Sequence, residues 1–210
     1  MSHTTDPRLL VLHGLKLKGF AEPDAVAAVV GLKQPVVAST LTTLVEGGHA
    51  IRRDGRISGF ALTPAGRSEH AAGLKAEMEA VGHRELVTER YQEFLLLNGR
   101  LLTVCTAWQV RDLSTNTLND HADKVYDEDV IEQLGTIHDG VGPICHSLAG
   151  ALVRYQPYHG RFVGALRKVR KGQQEWFAKP IIDSYHTVWM EMHEDLLATL
   201  AIARASEAGH

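Results

Sequence analysis

Apolar residues recur at three- and four-residue spacings through the first 46 positions, in three short runs separated by glycine. The first run follows Pro7, a favourable first helical residue, and ends near Gly19. The second run ends at Gly31 and the third at Gly47, which predicts three helices that each stop at a glycine. Helix, glycine-containing turn, helix is the pattern of a helix-turn-helix unit.

The spacing changes from helical to alternating after the third run. Residues 49–53 and 57–62 favour two strands, and the Asp-Gly pair between them is a hairpin turn signal. Thr63 then precedes a proline, which predicts a helix capped by the threonine hydroxyl and running to about Val81. A β-hairpin therefore follows the third helix, in the position of a wing.

Residues 83–210 carry long helical stripes and predict an antiparallel bundle of four or five helices. One stripe runs from Leu86 to Trp108. A second crosses Pro143 without a change of phase, which favours a single kinked helix over two shorter ones. Two further helices and one polar loop are predicted, over residues 160–171, 180–205 and 114–123 respectively.

The composition is that of a folded protein rather than a disordered or membrane-spanning one. Of the 210 residues 44% are hydrophobic, the net charge is -3, and no apolar run approaches the ~20 residues that cross a bilayer. Cys105 and Cys145 lie in apolar helical patterns and are expected to be buried free thiols. Without a recognisable secretory signal, the expected location is cytoplasmic.

The N-terminal pattern resembles the winged helix of MarR- and PadR-type transcriptional regulators over roughly residues 7–82. The matching residues are Leu41, Leu44, Glu46-Gly47-Gly48, Ile51, Arg53, Gly55-Arg56 and, most specifically, the run Leu62-Thr63-Pro64-Ala65-Gly66-Arg67. The resemblance implies a DNA-binding domain over residues 1–82 and double-stranded DNA as a partner. Residues 83–210 are then expected to form a helical domain for homodimerisation and effector binding. The third helix departs from the family, because it is poor in Arg, Lys and Asn.

In a winged helix bound to DNA, the third helix enters the major groove and the hairpin touches the flanking backbone. With Val37, Leu41 and Leu44 facing the core, the opposite face of that helix carries hydroxyl, methyl and amide groups that suit base edges or phosphates. Neighbouring basic residues supply positive charge for phosphates. The predicted DNA-binding residues are Lys33, Gln34, Val36, Ser39, Thr40, Thr43, Arg52, Arg53, Arg56 and Arg67. The alternative is that the arginines are ordinary solvated hairpin residues.

A small-molecule effector is expected to bind in the helical domain, since aromatic side chains with a few polar groups are the usual composition of such a site. Asn98 interrupts an apolar stripe, so it either lines a cavity or fixes the register of helices in a dimer. The predicted pocket residues are Asn98, Trp108, Arg111, His138, Tyr185, His186, Trp189 and His193. The alternative is that the tryptophans anchor the core and the polar residues cap helices.

Three histidines, His138, His186 and His193, lie near carboxylates in a way that could suit a transition metal. No HxH, HxxxH or CxxC spacing accompanies them, so no metal and no cofactor is predicted. There is also no GxSxG, P-loop, HExxH or strand-linked GxGxxG motif, and no enzymatic activity is expected.

These patterns together predict a mainly α protein: an N-terminal winged helix-turn-helix with a small β-hairpin wing, followed by an all-α antiparallel helical bundle. The predicted function is that of a dimeric DNA-binding transcriptional regulator responsive to a small molecule, with no membrane partner. An alternative class is a protein-interaction or regulatory module of a metabolic enzyme. Residues 183–189 and 193–197 are similar to a helical segment attached to pyruvate, phosphate dikinase-like proteins.

Overall fold

The computed structural model describes residues 2–204, which are mainly helical with two small antiparallel strand pairs. The helices are α1 (Pro7–Lys18), α2 (Pro23–Val30), α3 (Gln34–Glu46), α4 (Pro64–Val81), α5 (Arg84–Gln109), α6 (Lys124–Ala151), α7 (Gln156–Arg170), α8 (Glu175–Ala178) and α9 (Tyr185–Leu200). The strands are β1 (Ala50–Arg53), β2 (Gly59–Leu62), β3 (Val110–Asp112) and β4 (Thr117–Leu118), and a 3-10 turn covers Val153–Tyr155. Among these residues, no single helix is both long and apolar enough to cross a membrane.

The first three helices begin and end where the sequence predicts. Asp6 accepts hydrogen bonds from the backbone N–H groups of Arg8 and Leu9, which satisfies two donors at the start of α1. Gly31 ends α2 in the left-handed conformation, with a φ of 71°. Across the short turn that follows, the axes of α2 and α3 differ in direction by 115°.

A β-hairpin follows α3, as predicted, although each strand begins one or two residues late. β1 and β2 are antiparallel, with Ala50 opposite Leu62. Thr63 caps α4 by accepting a hydrogen bond from the backbone N–H of Gly66. Gly66 is required at this position, because a Cβ there would lie 2.0 Å from the carbonyl oxygen of His49. The absence of a side chain therefore lets α4 start directly against the beginning of β1.

The described chain divides into two compact units. The first contains the chain up to residue 87, residues 149–157 and the chain from residue 191 on, while the second contains residues 88–148 and 158–190. The sequence-based boundary at residue 82 had assigned the last two segments of the first unit to the helical domain. They belong to the first unit because they carry side chains that pair with residues of the N-terminal 77 positions, as described below.

The core of the first unit is apolar and is built from α1, α2, α3 and the hairpin. Its side chains occupy one face of each helix, as their three- and four-residue spacing predicts. Removing this surface from water is the main contribution to the stability of the unit. The core residues include Val11, Leu12, Leu15, Val26, Val37, Leu41, Leu44 and Phe60.

The second unit is not wholly helical, and part of the predicted loop over residues 114–123 forms a hairpin instead. β3 pairs antiparallel with β4 in an irregular register. Asp112 holds the turn between them, because its carboxylate accepts hydrogen bonds from the backbone N–H and the hydroxyl of Ser114 at 2.8 and 2.7 Å. Asn116 adopts a φ of 53°. The prediction of an all-α second half was wrong here, since strands this short carry no alternating stripe.

Two further predictions concern the later helices. α6 is one helix with Pro143 inside it, as predicted. The last helix does not begin at Pro180, because Ser184 caps it by accepting a hydrogen bond from a backbone N–H of the first turn. Its predicted end, Ala205, lies outside the described residues, and α9 ends at Leu200.

Both cysteines lie in the second unit and confirm the prediction of buried free thiols. Burial raises the pKa of Cys105 and of Cys145 to about 12, because a thiolate would lose its hydration there. The thiols therefore remain protonated near neutral pH and act as small apolar core groups.

Candidate functional site

α3 presents one apolar and one polar face. Val37, Leu41 and Leu44 are fully buried, as predicted, so the opposite side of the helix faces solvent. The ten predicted DNA-binding residues are all exposed except Thr40, which is half-buried. α3 also packs directly on β1. We refer to these ten residues, on α3, the hairpin and the start of α4, as the α3–hairpin surface.

The threonine hydroxyls of this surface are partly used within α3. Thr40 donates a hydrogen bond to the carbonyl oxygen of Val36 at 2.8 Å, and Thr43 donates to that of Ser39 at 3.3 Å. These bonds use the hydroxyl hydrogens but leave oxygen lone pairs directed outwards. The threonine oxygens can therefore still accept a hydrogen bond from a ligand, whereas their hydroxyl hydrogens are already used.

The hairpin arginines differ in whether their guanidinium groups already have an acidic partner. Arg52 donates to Asp54 at 2.8 Å and lies 5.1 Å from the centre of the Phe60 ring. Its hydrogen bond to Asp54 raises the pKa of Arg52 above the ordinary value. Within residues 2–204, Arg53 and Arg56 have no ion-pair partner, and both are exposed. Arg53 and Arg56 are therefore the cations of the hairpin that are most available to a phosphate.

Two predicted effector residues are enclosed in the core of the second unit. Tyr185 and Trp189 have no solvent exposure, and Trp189 stacks on Phe94 with ring centres 4.4 Å apart. The indole N–H of Trp189 donates to Oδ1 of Asn98 at 2.9 Å. Asn98 is half-buried and thus serves as the hydrogen-bond acceptor for this buried tryptophan, a role that neither of the two sequence-based alternatives, cavity lining or dimer register, anticipated.

Replacing Asn98 by alanine is expected to lower the free energy of unfolding by about 1–3 kcal/mol, because the N–H of the buried Trp189 loses its acceptor. Urea denaturation measures the change. Gln92→Ala is the matched control, since Gln92 is an exposed polar residue of the same helix and its loss should cost less than about 0.5 kcal/mol. Equal losses in the two variants would show that the hydrogen bond is not the cause.

Three other predicted effector residues line three different clefts of the second unit. Trp108 lines one of about 540 Å³ together with His121, whose ring lies 4.4 Å from it. Arg111 lines another of about 520 Å³, where it pairs with Asp123 at 2.8 Å. A third cleft, of about 350 Å³, includes His138. The structure therefore does not gather these three residues at one cleft.

The last two residues of the predicted pocket, His186 and His193, belong to different units. His186 is half-buried in the second unit, and burial lowers the pKa of its imidazole. His193 is buried in the first unit.

A buried polar cluster in the first unit was missed by sequence reasoning. His13 of α1 stacks on His70 of α4, and Nδ1 of His13 lies 2.9 Å from Nε2 of His70. On its other side, Nε2 of His13 lies 3.1 Å from Oδ1 of Asp195 on α9. All three side chains are buried. We call this arrangement the His13–His70–Asp195 chain.

Arg154 is the cationic centre of the same cluster and is only 4% exposed. It donates hydrogen bonds to Glu77, Thr5 and Thr199. Its Nε lies 3.5 Å from Asp195. A buried guanidinium with two carboxylates and two hydroxyls has the partners that such a charge needs. These contacts join residue 154 and α9 to the N-terminal part of the first unit.

Burial and charge pairing act in opposite directions on the titrating groups of the cluster. Burial opposes ionisation of Asp195, but the charges of His13 and Arg154 hold the pKa of its carboxyl below the ordinary value. Burial, reinforced by the charges of His13 and Lys16, lowers the pKa of His70 to about 3. Near neutral pH, Asp195 is therefore ionised and His70 carries no charge.

One signal in the sequence could have revealed this cluster. Asp195 and Thr199 occupy positions on the apolar stripe of α9, as Asn98 does on α5. A buried polar residue needs a hydrogen-bond partner, so a polar residue on such a stripe marks a paired site. The pattern does not identify the partner, because residues 13, 70 and 154 are distant in sequence.

Comparison with known proteins identifies no similar protein. No protein-family model, curated protein or solved structure matches the chain significantly. Among residues 2–204, no group of three or more His, Cys, Asp or Glu side chains is arranged to hold a metal ion. The functional argument therefore rests on the geometry of the chain itself.

Proposed function

We propose that the protein is a winged helix-turn-helix DNA-binding transcriptional regulator. The observation that carries the proposal is the α3–hairpin surface, in which the exposed face of α3 lies beside a hairpin with two arginines that have no ion-pair partner among the described residues. The angle of 115° between α2 and α3 falls in the range of about 90–120° that is usual for helix-turn-helix units. In this proposal α3 enters the major groove, and Arg53 and Arg56 contact phosphates beside it.

Reading of bases would fall mainly to the N-terminal half of α3. Gln34 has the amide that suits adenine, while Val36 and the threonine methyl groups suit the methyl group of thymine. Because α3 itself contains no Lys or Arg, most of the electrostatic affinity comes from the hairpin. The proposal therefore combines modest total affinity with sequence preference.

Selection of genomic DNA fragments at two salt concentrations tests this function. Enrichment of a palindromic sequence that persists at the higher salt supports a regulator that binds two half-sites. Binding that lacks sequence preference and is lost at the higher salt contradicts it. The variant Arg53→Ala/Arg56→Ala is the control, since it should weaken recovery of all fragments.

We propose further that the regulator is a homodimer joined through the second unit. Large apolar side chains are exposed there, among them Leu113 at 75%, Leu118 at 70% and Val125 at 70%. In this proposal these side chains belong to one apolar patch, since contiguous exposed apolar patches mark protein–protein interfaces. A dimer would place two α3 helices on neighbouring half-sites, and an effector would act by changing how well both fit at once.

The double variant Leu113→Lys/Leu118→Lys is expected to weaken dimerisation by at least about 100-fold, because each lost apolar contact costs about 1.5–3 kcal/mol. Light scattering during size-exclusion chromatography measures the mass. Ile57→Lys is the matched control, since Ile57 is also 75% exposed but lies in the first unit. A wild-type protein that is monomeric at micromolar concentration, or equal dissociation by Ile57→Lys, would contradict this interface.

A second candidate function is a protein-interaction module. It is favoured by the apolar side chains that accompany the α3–hairpin surface: Val36, Val45 and Ile51 are 36–42% exposed. The DNA selection above discriminates between the two, because an interaction module would retain no fragment specifically.

A further inference from the structure

The cleft of about 350 Å³ that includes His138 lies in the second unit, on α6, α7 and the residue that follows α7. Its volume is toward the lower end of the range of about 300–1,000 Å³ that is usual for small-molecule sites. Three of its lining side chains are cationic, two are aliphatic and, among the described residues, none is a carboxylate. The lining residues are His138, Val163, Leu166, Arg167, Arg170 and Lys171. We refer to this site as the α7 cleft.

The cationic side chains of the α7 cleft occupy one face of the chain. Val163, Arg167 and Arg170 follow each other at intervals of four and three residues, which brings them to the same side of α7. Like charges at this spacing repel each other. Within residues 2–204, Arg167, Arg170 and Lys171 have no ion-pair partner, and all three are exposed. Their mutual repulsion is therefore not relieved by an ion pair within this part of the chain.

These cations are not needed to cap the end of α7. Basic side chains often occupy the last turn of a helix, where they bond the terminal carbonyl groups and complement the helix dipole. In α7, backbone groups bond these carbonyls instead: the N–H of Lys171 donates to Arg167 at 3.2 Å, and the N–H of Gln173 donates to Lys168 at 3.1 Å. The ammonium of Lys168 lies 3.1 Å from the centre of the Trp176 ring. Lys168 is therefore engaged within the protein, unlike the three cations of the cleft.

Gly135 of α6 allows Arg170 to reach across from α7. A Cβ at residue 135 would lie 2.7 Å from Nη2 of Arg170, so the guanidinium occupies space that a side chain would fill. The aliphatic stem of Arg170 therefore extends from α7, while its charged end lies against α6. This placement fixes one cation of the cleft beside His138, which is one turn further along α6.

His138 contributes a polar group of a different kind. Burial lowers the pKa of its imidazole, and the charges of His159 and Arg170 lower it further, against the opposing charge of Asp139. Near neutral pH the ring is therefore uncharged and has one N–H donor and one acceptor nitrogen. His138 adds hydrogen-bonding capacity to the α7 cleft without adding charge.

We propose that the α7 cleft binds a small soluble phosphate monoester with an apolar organic group. Two guanidinium groups match phosphate oxygens in both geometry and charge, and Lys171 adds a third positive charge. A phosphate monoester carries a charge of about -1.5 to -2 near pH 7, which compensates the repelling cations better than one carboxylate does. Val163 and Leu166 supply the apolar surface for the organic group.

Isothermal titration calorimetry of the full chain with phenyl phosphate tests the site. A dissociation constant of about 1 mM or lower is expected at low salt, and it should rise as salt screens the cations. Inorganic phosphate lacks the apolar group and phenol lacks the charge, so each should bind at least about threefold more weakly. Absence of phenyl phosphate binding, or equal binding of either control ligand, would overturn the proposal.

Three substitutions at the same end of α7 distinguish the cleft from net charge. Arg170→Gln should weaken phenyl phosphate binding about tenfold, because a charge-assisted hydrogen bond is lost. Lys171→Gln should weaken it about threefold, through the loss of an exposed charge. Lys168→Gln removes the same charge outside the cleft and should change affinity by less than about twofold. Equal losses in all three variants would show attraction by net charge alone and would overturn the site.

Gly135→Ala tests the position of Arg170 without changing any charge. The added methyl group should displace the guanidinium and weaken binding about threefold or more, while helix stability is kept or raised because alanine favours a helix more than glycine. Gly99→Ala is the matched control, since Gly99 lies in α5 and a Cβ there would have no neighbour within 4 Å. Urea denaturation checks the fold of both variants. Unchanged affinity in Gly135→Ala, or an equal loss in Gly99→Ala, would overturn the proposed placement of the phosphate.

Two further measurements separate a soluble ester from other sources of phosphate. A loss of DNA affinity in Arg170→Gln as large as its loss of phenyl phosphate affinity would assign the cleft to a nucleic-acid backbone and overturn the proposal. Co-sedimentation with vesicles that contain phosphatidic acid, without binding of phenyl phosphate, would assign it to a lipid and also overturn the proposal. None of the cleft residues belongs to the α3–hairpin surface. A protein that binds phenyl phosphate but no DNA therefore contradicts the proposed function alone.

Discussion

Arg154→Met should lower the free energy of unfolding by about 3–5 kcal/mol. Arg154 is the cation between Glu77 and Asp195 in the first unit, and all three side chains are buried. Methionine fills a similar volume but carries no charge, so both carboxylates would lose the guanidinium that compensates them away from water. The penalty is the cost of these stranded charges rather than the value of the original ion pairs.

Urea denaturation of the full chain measures this loss. Arg204→Met is the matched control, because the Arg204 side chain is 54% exposed and its ion pair with Glu194 should contribute less than about 1 kcal/mol. Adding Glu77→Gln to Arg154→Met removes one stranded charge and should restore part of the stability. The account is contradicted if the two methionine variants lose equal stability or if Glu77→Gln brings no recovery.

Replacing Arg53 and Arg56 together by alanine should lower DNA affinity about tenfold or more near physiological salt, if the proposed function holds. Each arginine is exposed and unpaired within residues 2–204, so each is free to neutralise one phosphate. Loss of two phosphate contacts should reduce the slope of log affinity against log salt by about 1.8. Because these contacts carry no base information, operator and scrambled DNA should be affected alike.

Fluorescence anisotropy at several salt concentrations measures both quantities. Arg52→Ala should have a smaller effect, since the guanidinium of Arg52 already pairs with Asp54. Arg100→Ala, an exposed arginine of the second unit, is the control and should leave DNA binding unchanged. An unaltered salt slope in the Arg53→Ala/Arg56→Ala variant would remove the hairpin from the DNA interface.

Local signals in the sequence predict the elements of the first unit closely. The helix caps at Asp6 and Thr63 and the helix end at Gly31 depend on neighbouring residues alone. They can therefore be predicted without knowledge of the fold. The division of α3 into buried and exposed faces follows from spacing in the same way. The hydrogen bond of Arg52 to Asp54 is equally local. It is not apparent from the composition of the hairpin, in which arginine predominates.

Short elements and irregular turns are less predictable. The β3–β4 hairpin contains too few residues for an alternating pattern, and its turn depends on hydrogen bonds to Asp112 and on the left-handed Asn116. The start of the last helix was misplaced because Pro180 is a good first helical residue, whereas the hydroxyl of Ser184 supplies the actual cap. In both places, several compatible signals compete within a few residues.

The sequence alone determined most of the helical segments, which face of each is apolar and which polar side chains interrupt those faces, because these properties depend on spacing along one chain. Only the tertiary structure decided the partners of the interrupting residues. Arg154 meets Glu77 and His13 meets Asp195 across long separations in sequence. A buried charge needs a counter-charge at a specific distance and angle, and spacing within one helix carries no information about either. The pairing that joins α9 to the first unit, and the cleft that α6 and α7 line, therefore became visible only in three dimensions.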